Sequence, residues 1–124
     1  MRNWIVVMGI IGWTFCSVSA FAHEEDEAVG GTQTVTGEVV DLACYLGHNA
    51  SGAAHQECAQ KCIASGLPVG IKSGNQLYLV MASDHTPANK TLAPLAAKTV
   101  VAEGEVSERD GVHLLALKKV TVKE

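Results

Sequence analysis

Between positions 44 and 62 the chain carries Cys44-Tyr45-Leu46-Gly47-His48 and then His55-Gln56-Glu57-Cys58-Ala59-Gln60-Lys61-Cys62. Thiolates and imidazoles form the donor set that takes Zn²⁺ or copper, and three thiolates suit Cu(I) in particular. If the second stretch is helical, residues 55, 58 and 62 stand at i, i+3 and i+7. At about 100° per residue they fall within a stripe about 60° wide, on one face of the helix. Cys44, expected at the end of a strand, brings a third thiol to that face. The sequence thus offers a metal site of Cys44, Cys58, Cys62 and His55. His48 is a further candidate, less favoured because it lies off the cysteine stripe. There is no CxxC or CxxCH motif, so covalent haem attachment is not indicated, and an iron–sulfur cluster would have only three cysteines to draw on.

The same cysteines permit other chemistry. In an oxidising compartment Cys44 can pair with Cys58 or Cys62, stapling the helix to the rest of the fold and contributing about 2–4 kcal/mol. Cys58 and Cys62 make a poor pair, since residues i and i+4 on an intact helix hold roughly parallel Cβ vectors near the limit of bridgeable separation. Any one disulfide leaves an odd thiol. A thiol–disulfide redox protein is the third reading, supported only by Lys61 beside Cys62 as a means of lowering a thiol pKa. No general base or substrate cleft is legible, so the residues point to binding more than to catalysis. His85 and His113 have no clustered partners and read as surface residues, and Tyr45 reads as packing.

The elements that must hold these residues follow from the apolar pattern. Val35, Gly37 and Val39 alternate with Thr34, Thr36 and Glu38, the period of two of a half-buried strand. Val40 and Leu42 extend that strand toward Cys44. Gly47 to Gly52 reads as a loop, Ser51 as an N-cap, and Ala53 to Ala64 as a helix that Gly66 and Pro68 terminate. Short strands are expected over 69–72 and 76–81, the second with Leu77, Leu79 and Met81 on one face. A short helix is expected over 89–97, limited by Pro94. Strands over 98–107 and 112–122 flank Asp110-Gly111, a hairpin signal. Five short strands with a helix between the third and fourth predict a mainly β fold: a small five-stranded OB-like Greek-key barrel, with a Cys-bearing helix between the first two strands. An open α+β sheet is the alternative. Gly37 and Gly104 fit the barrel, where tightly coiled strands bend at glycine.

The chain has 124 residues, 13 acidic and 9 basic side chains and a net charge of −4, which bounds it to one domain. Residues 1–22 read as a signal peptide. Met1-Arg2-Asn3-Trp4 is followed by an apolar run from Ile5 and by Ala20-Phe21-Ala22, a small-x-small cleavage pattern. The run of about 15 residues is short for a membrane span of roughly 20. The expected product is periplasmic or secreted, with no membrane attachment after cleavage. Arg2 is the only charged residue of the leader, so 8 basic and 13 acidic side chains remain, a net charge of −5. All four Trp and Phe residues and Cys16 leave with it, and Tyr45 and Tyr78 are then the only aromatics. An acidic surface without aromatic platforms argues against nucleic-acid binding. Residues 23–33, with Glu24-Glu25-Asp26-Glu27, read as a flexible acidic arm, and 34–124 as the barrel domain. Cleavage after Ala22 would make His23 the N-terminal residue, whose α-amine and imidazole can chelate Cu(II). It is the weakest of the metal candidates.

One series of residues carries a resemblance. Gly37-Glu38-Val39-Val40-Asp41, Cys44-Tyr45-Leu46-Gly47, His55-x-x-Cys58-Ala59-x-x-x-Cys62 and Gly66-x-Pro68-Val69-Gly70 together resemble the pattern of a group of small exported bacterial proteins. The likeness spans roughly Thr34 to Val122. It implies a single OB-like domain and brings no established activity. The residues themselves point first to a copper or zinc ion, copper slightly ahead because the expected compartment handles it and three thiolates suit Cu(I). The other expectation is a metal-free adaptor stapled by a disulfide, whose partner would be another exported protein.

Overall fold

The computed structural model describes residues 31–124; the leader, His23 and the arm up to residue 30 lie outside the described residues. The chain runs β1 (Thr32–Asp41), α1 (Leu42–His48), a 3₁₀ turn (Ala53–His55) leading into α2 (Gln56–Ala64), β2 (Val69–Ser73) and β3 (Gln76–Ala82). It continues through α3 (Asn89–Leu92), a second 3₁₀ turn (Ala93–Leu95), β4 (Thr99–Arg109) and β5 (Val112–Val122). The strands close into a barrel in the order β1-β2-β3-β5-β4. All pairs are antiparallel except β3 with β5. This is the five-stranded OB-like Greek-key barrel that the strand pattern predicts, with the cysteine helix between β1 and β2.

Period-two alternation accounts for most of the barrel wall. Val35 and Val39 of β1, Val100 and Ala102 of β4, and Leu115 and Leu117 of β5 point inward and are buried. On β3 the inward face is Tyr78 and Val80, while Leu79 of the opposite face is exposed. The Leu77/Leu79/Met81 face singled out from sequence is therefore the outer one. Asp110 and Gly111 both have positive φ, 52° and 80°, as a two-residue type I′ hairpin requires. One end of the barrel is plugged by Ala59 and Ile63 of α2 with Leu92, Ala93 and Ala96. Among the described residues no helix is long and apolar enough to cross a membrane.

Two boundaries differ from the sequence pattern. β1 starts at Thr32, because Thr32 and Gln33 pair with Glu105 and Gly104 of β4. It also ends at Asp41 instead of running on toward Cys44. Asp41 is a helix N-cap: its carboxylate accepts from the backbone N–H groups of Ala43 (3.1 Å) and Cys44 (3.2 Å), which starts α1. The segment expected as strand and then loop is thus a third helix. Asn49 closes it in the left-handed conformation, φ 54°.

Candidate metal centre

Cys44 is the third residue of α1 and Cys58 and Cys62 lie on α2. Each helix is pinned by contacts its sequence dictates. On α1, Leu42 is buried against Gly70 of β2, where any side chain would collide with its Cδ2, and its N–H donates to Pro68 O at 2.9 Å. On α2, the buried pair Ala59 and Ile63 at i and i+4 faces the barrel. Cys58 and Cys62, also at i and i+4, run along the flank of that stripe, toward α1. The C-terminus of α2 is a Schellman closure: Gly66 (φ 101°) donates to Ile63 O at 3.0 Å and Leu67 to Cys62 O at 3.2 Å. Asn89 of α3 then donates from Nδ2 to Ile63 O and Leu67 O, both at 2.7 Å, locking the cysteine helix to the plug.

That lock yields a testable result. Asn89→Ala deletes two hydrogen bonds at about 1 kcal/mol each, and is expected to cost about 1–3 kcal/mol of stability in urea unfolding. The melting temperature should fall by several degrees. An unchanged midpoint would mean that the Schellman closure alone holds the end of α2.

The outcome of this framework is convergence. One ligand atom from each of Cys44, Cys58 and Cys62 lies within 4.8 Å of the others, and a second group, Asp41, Cys44 and His55, meets the same criterion. Three cysteines together with an aspartate and a histidine are therefore close enough to hold a metal ion. Cys44 and Cys62 are half-buried, Cys58 is exposed, and all three are free thiols; the disulfide staple is not formed. His48, at the exposed end of α1, joins neither group. His55 ends the 3₁₀ turn with φ −103° and ψ 0°, outside the helical region. That break turns it away from the cysteine stripe and places it with Asp41 and Cys44. Its Nε2 is buried and has no hydrogen-bond partner. Asp41, 1% exposed, is the member the sequence reading missed; its signal was an N-cap residue type directly before Leu42.

The electrostatics of the cluster are negative. Hydrogen bonding of the Cys44 thiol to the Asp41 carboxylate, with burial and the charges of Asp41, Cys62 and Cys58, pushes its pKa up to about 12. Burial first, and then Asp41, also raise Cys62. A raised folded pKa means that the folded state holds its proton more tightly than the unfolded chain does. This stabilisation is present below the unfolded thiol value near 9 and is lost as pH rises toward about 12. Reduced, metal-free protein should therefore melt at progressively lower temperature from pH 9 to pH 12, and Asp41→Asn should flatten that slope. A flat profile for the unaltered protein would refute the Asp41–Cys44 coupling. Lys61, beside Cys62 in sequence, forms an exposed ion pair with Glu57 at 2.8 Å.

Compared with protein-family models, curated proteins and solved structures, the chain finds no match. Its functional reading rests on the residues themselves.

Proposed function

We propose that this is an exported, periplasmic or secreted, metal-binding protein that holds a thiophilic ion, copper or zinc, through Cys44, Cys58 and Cys62. The observation that carries the reading is the approach of three thiols, from two separately anchored helices, to within 4.8 Å of one another. Two cysteines on one helix flank are common by chance. A third delivered by its own capped helix matches the tetrahedral or trigonal donor sets of zinc and Cu(I). His55 and Asp41 group with Cys44 and offer nitrogen and oxygen donors beside it. Export rests on the leader-like residues 1–22 and on the resemblance to small exported bacterial proteins. The partner is a metal ion or another exported protein, the acidic composition without aromatic platforms argues against nucleic acid, and no membrane attachment is expected after cleavage of the leader.

A redox role is disfavoured by the same electrostatics. A thiol–disulfide enzyme needs a nucleophilic cysteine with a lowered pKa, whereas Cys44 and Cys62 are both pushed up. The positive charge of Lys61 is engaged by Glu57. A metal ion, by contrast, displaces those protons on binding.

The test is metal analysis with thiol titration on protein purified without reductant or chelator. Bound copper or zinc with three protected thiols, and loss of the ion in Cys44→Ser, is the expected result. Three freely titrating thiols in protein supplied with copper and zinc would refute the proposal. One disulfide with one free thiol and no metal would establish the stapled adaptor instead.

A further inference from the structure

Two ligand triads meet at one sulfur. Cys44 is the sole member common to the Cys44/Cys58/Cys62 group and the Asp41/Cys44/His55 group. We infer that the centre takes two thiophilic divalent cations, not one, with the Cys44 thiolate bridging them. One ion sits among the three sulfurs, and the second between Asp41, Cys44 and His55. The inference rests on the proposed metal-binding function and adds to it a second ion position and the ion class.

Three observations carry it beyond a single ion with a distant fourth ligand. First, His55 groups with Asp41 and Cys44, and not with Cys58 and Cys62, so its imidazole falls outside the three-sulfur group. Second, His55 Nε2 is the one buried side-chain nitrogen or oxygen among the described residues without a hydrogen-bond partner. Buried polar atoms need partners, and no group among the described residues supplies one here. Third, Asp41 is a buried carboxylate, 1% exposed, with no Lys, Arg or His ion pair among the described residues. Buried charges are paired or coordinate metals. Each Asp41 oxygen accepts one backbone N–H, from Ala43 and from Cys44; its remaining partner is the Cys44 thiol, whose proton a cation displaces, so lone pairs are left for the ion.

Charge points the same way. Bound as metal ligands, which shed their protons, three thiolates and one carboxylate carry four negative charges. One divalent ion leaves half of that charge uncompensated in a partly buried cluster, and two balance it. Glu38 of β1 accepts from the N–H of Gly52, which ties the loop that leads into His55 to the barrel.

The experiment counts ions and reads their ligands. Reduced, metal-free protein is titrated with zinc chloride against a competing chromophoric chelator, bound ions are counted after gel filtration, and the cadmium-113 spectrum is recorded after loading with cadmium. The expected result is two ions per chain and two resonances, the thiolate-rich one at higher frequency. His55→Ala should retain one ion and lose the lower-frequency resonance, with its far-UV circular dichroism unchanged. One ion per chain with a single resonance overturns the second position and leaves the single-ion function standing; no bound ion overturns both. Two ions that both survive in folded His55→Ala overturn the assignment of His55. Should that variant fail to fold, the count and the two frequencies in the unaltered protein decide the question.

Discussion

Gly104→Ala is expected to destabilise the barrel by more than the about 3 kcal/mol usual for overpacking, while Gly47→Ala is expected to stabilise it. A Cβ at Gly104 would stand 2.2 Å from Ala116 O and 2.9 Å from Leu115 Cδ1. Ala116 is on the adjacent strand β5, and the register shifts opposite Glu103/Gly104, where β5 carries one extra residue, Lys118. The obstructing atom is backbone in a hydrogen-bonded ladder, so no side-chain rotation relieves the clash. A domain of this size has a total stability of about 5–15 kcal/mol. Gly47 lies in α1 with nothing within 4 Å of its would-be Cβ and no positive φ. There the same methyl group only restricts the unfolded chain and improves helix propensity, by about 0.5–1 kcal/mol. Urea unfolding of the two variants reads opposite signs from one chemical change. A Gly104→Ala midpoint equal to that of the unaltered protein would refute the close approach of β4 to β5.

The strands were legible because they obey a single rule. Alternation over residues 34–40 and 99–107, and the Asp110-Gly111 turn, each carry one physical meaning, and together they predict a barrel. The inward face of β3 was less legible because both faces are apolar: Leu77, Leu79 and Met81 compete with Tyr78 and Val80. Period alone does not choose between two apolar faces. The choice falls to the register with β2 and β5, which is a property of the closed barrel.

The site was half legible for a different reason. Cys58 and Cys62 were placed correctly by helical spacing, since four residues bring two side chains to the same flank in any α-helix. Cys44 was expected on a strand because Val40 and Leu42 continue the alternation of β1. Asp41 overrides that pattern locally: capping two N–H groups favours helix at the point where the strand would leave the sheet. His55 was expected on the cysteine stripe, but its 3₁₀ start is set by the loop from Gly52, tied to Glu38 across 14 residues. Non-local anchors of this kind leave no local periodic signal.

The largest effect expected is that of metal on stability. Among the described residues the core offers Tyr78 as its only buried aromatic beside Ala, Val, Leu and Ile, so its margin is small, and its thiols and Asp41 crowd one another. An ion that binds only the folded state adds RT ln(1 + [L]/Kd), about 4 kcal/mol at a thousandfold excess over Kd. With about 4–8 °C per kcal/mol for a domain of this size, saturating zinc should raise the melting temperature of the reduced protein by about 15–30 °C. Chelator should reverse the shift. Cys44→Ser should abolish nearly all of it, because that sulfur belongs to both ligand groups, and Cys58→Ser should remove a smaller part. A stapled protein behaves oppositely: chelator leaves it unchanged and reductant alone lowers its melting temperature. Coincident melting curves for fully reduced protein with and without zinc would refute a metal-supported fold.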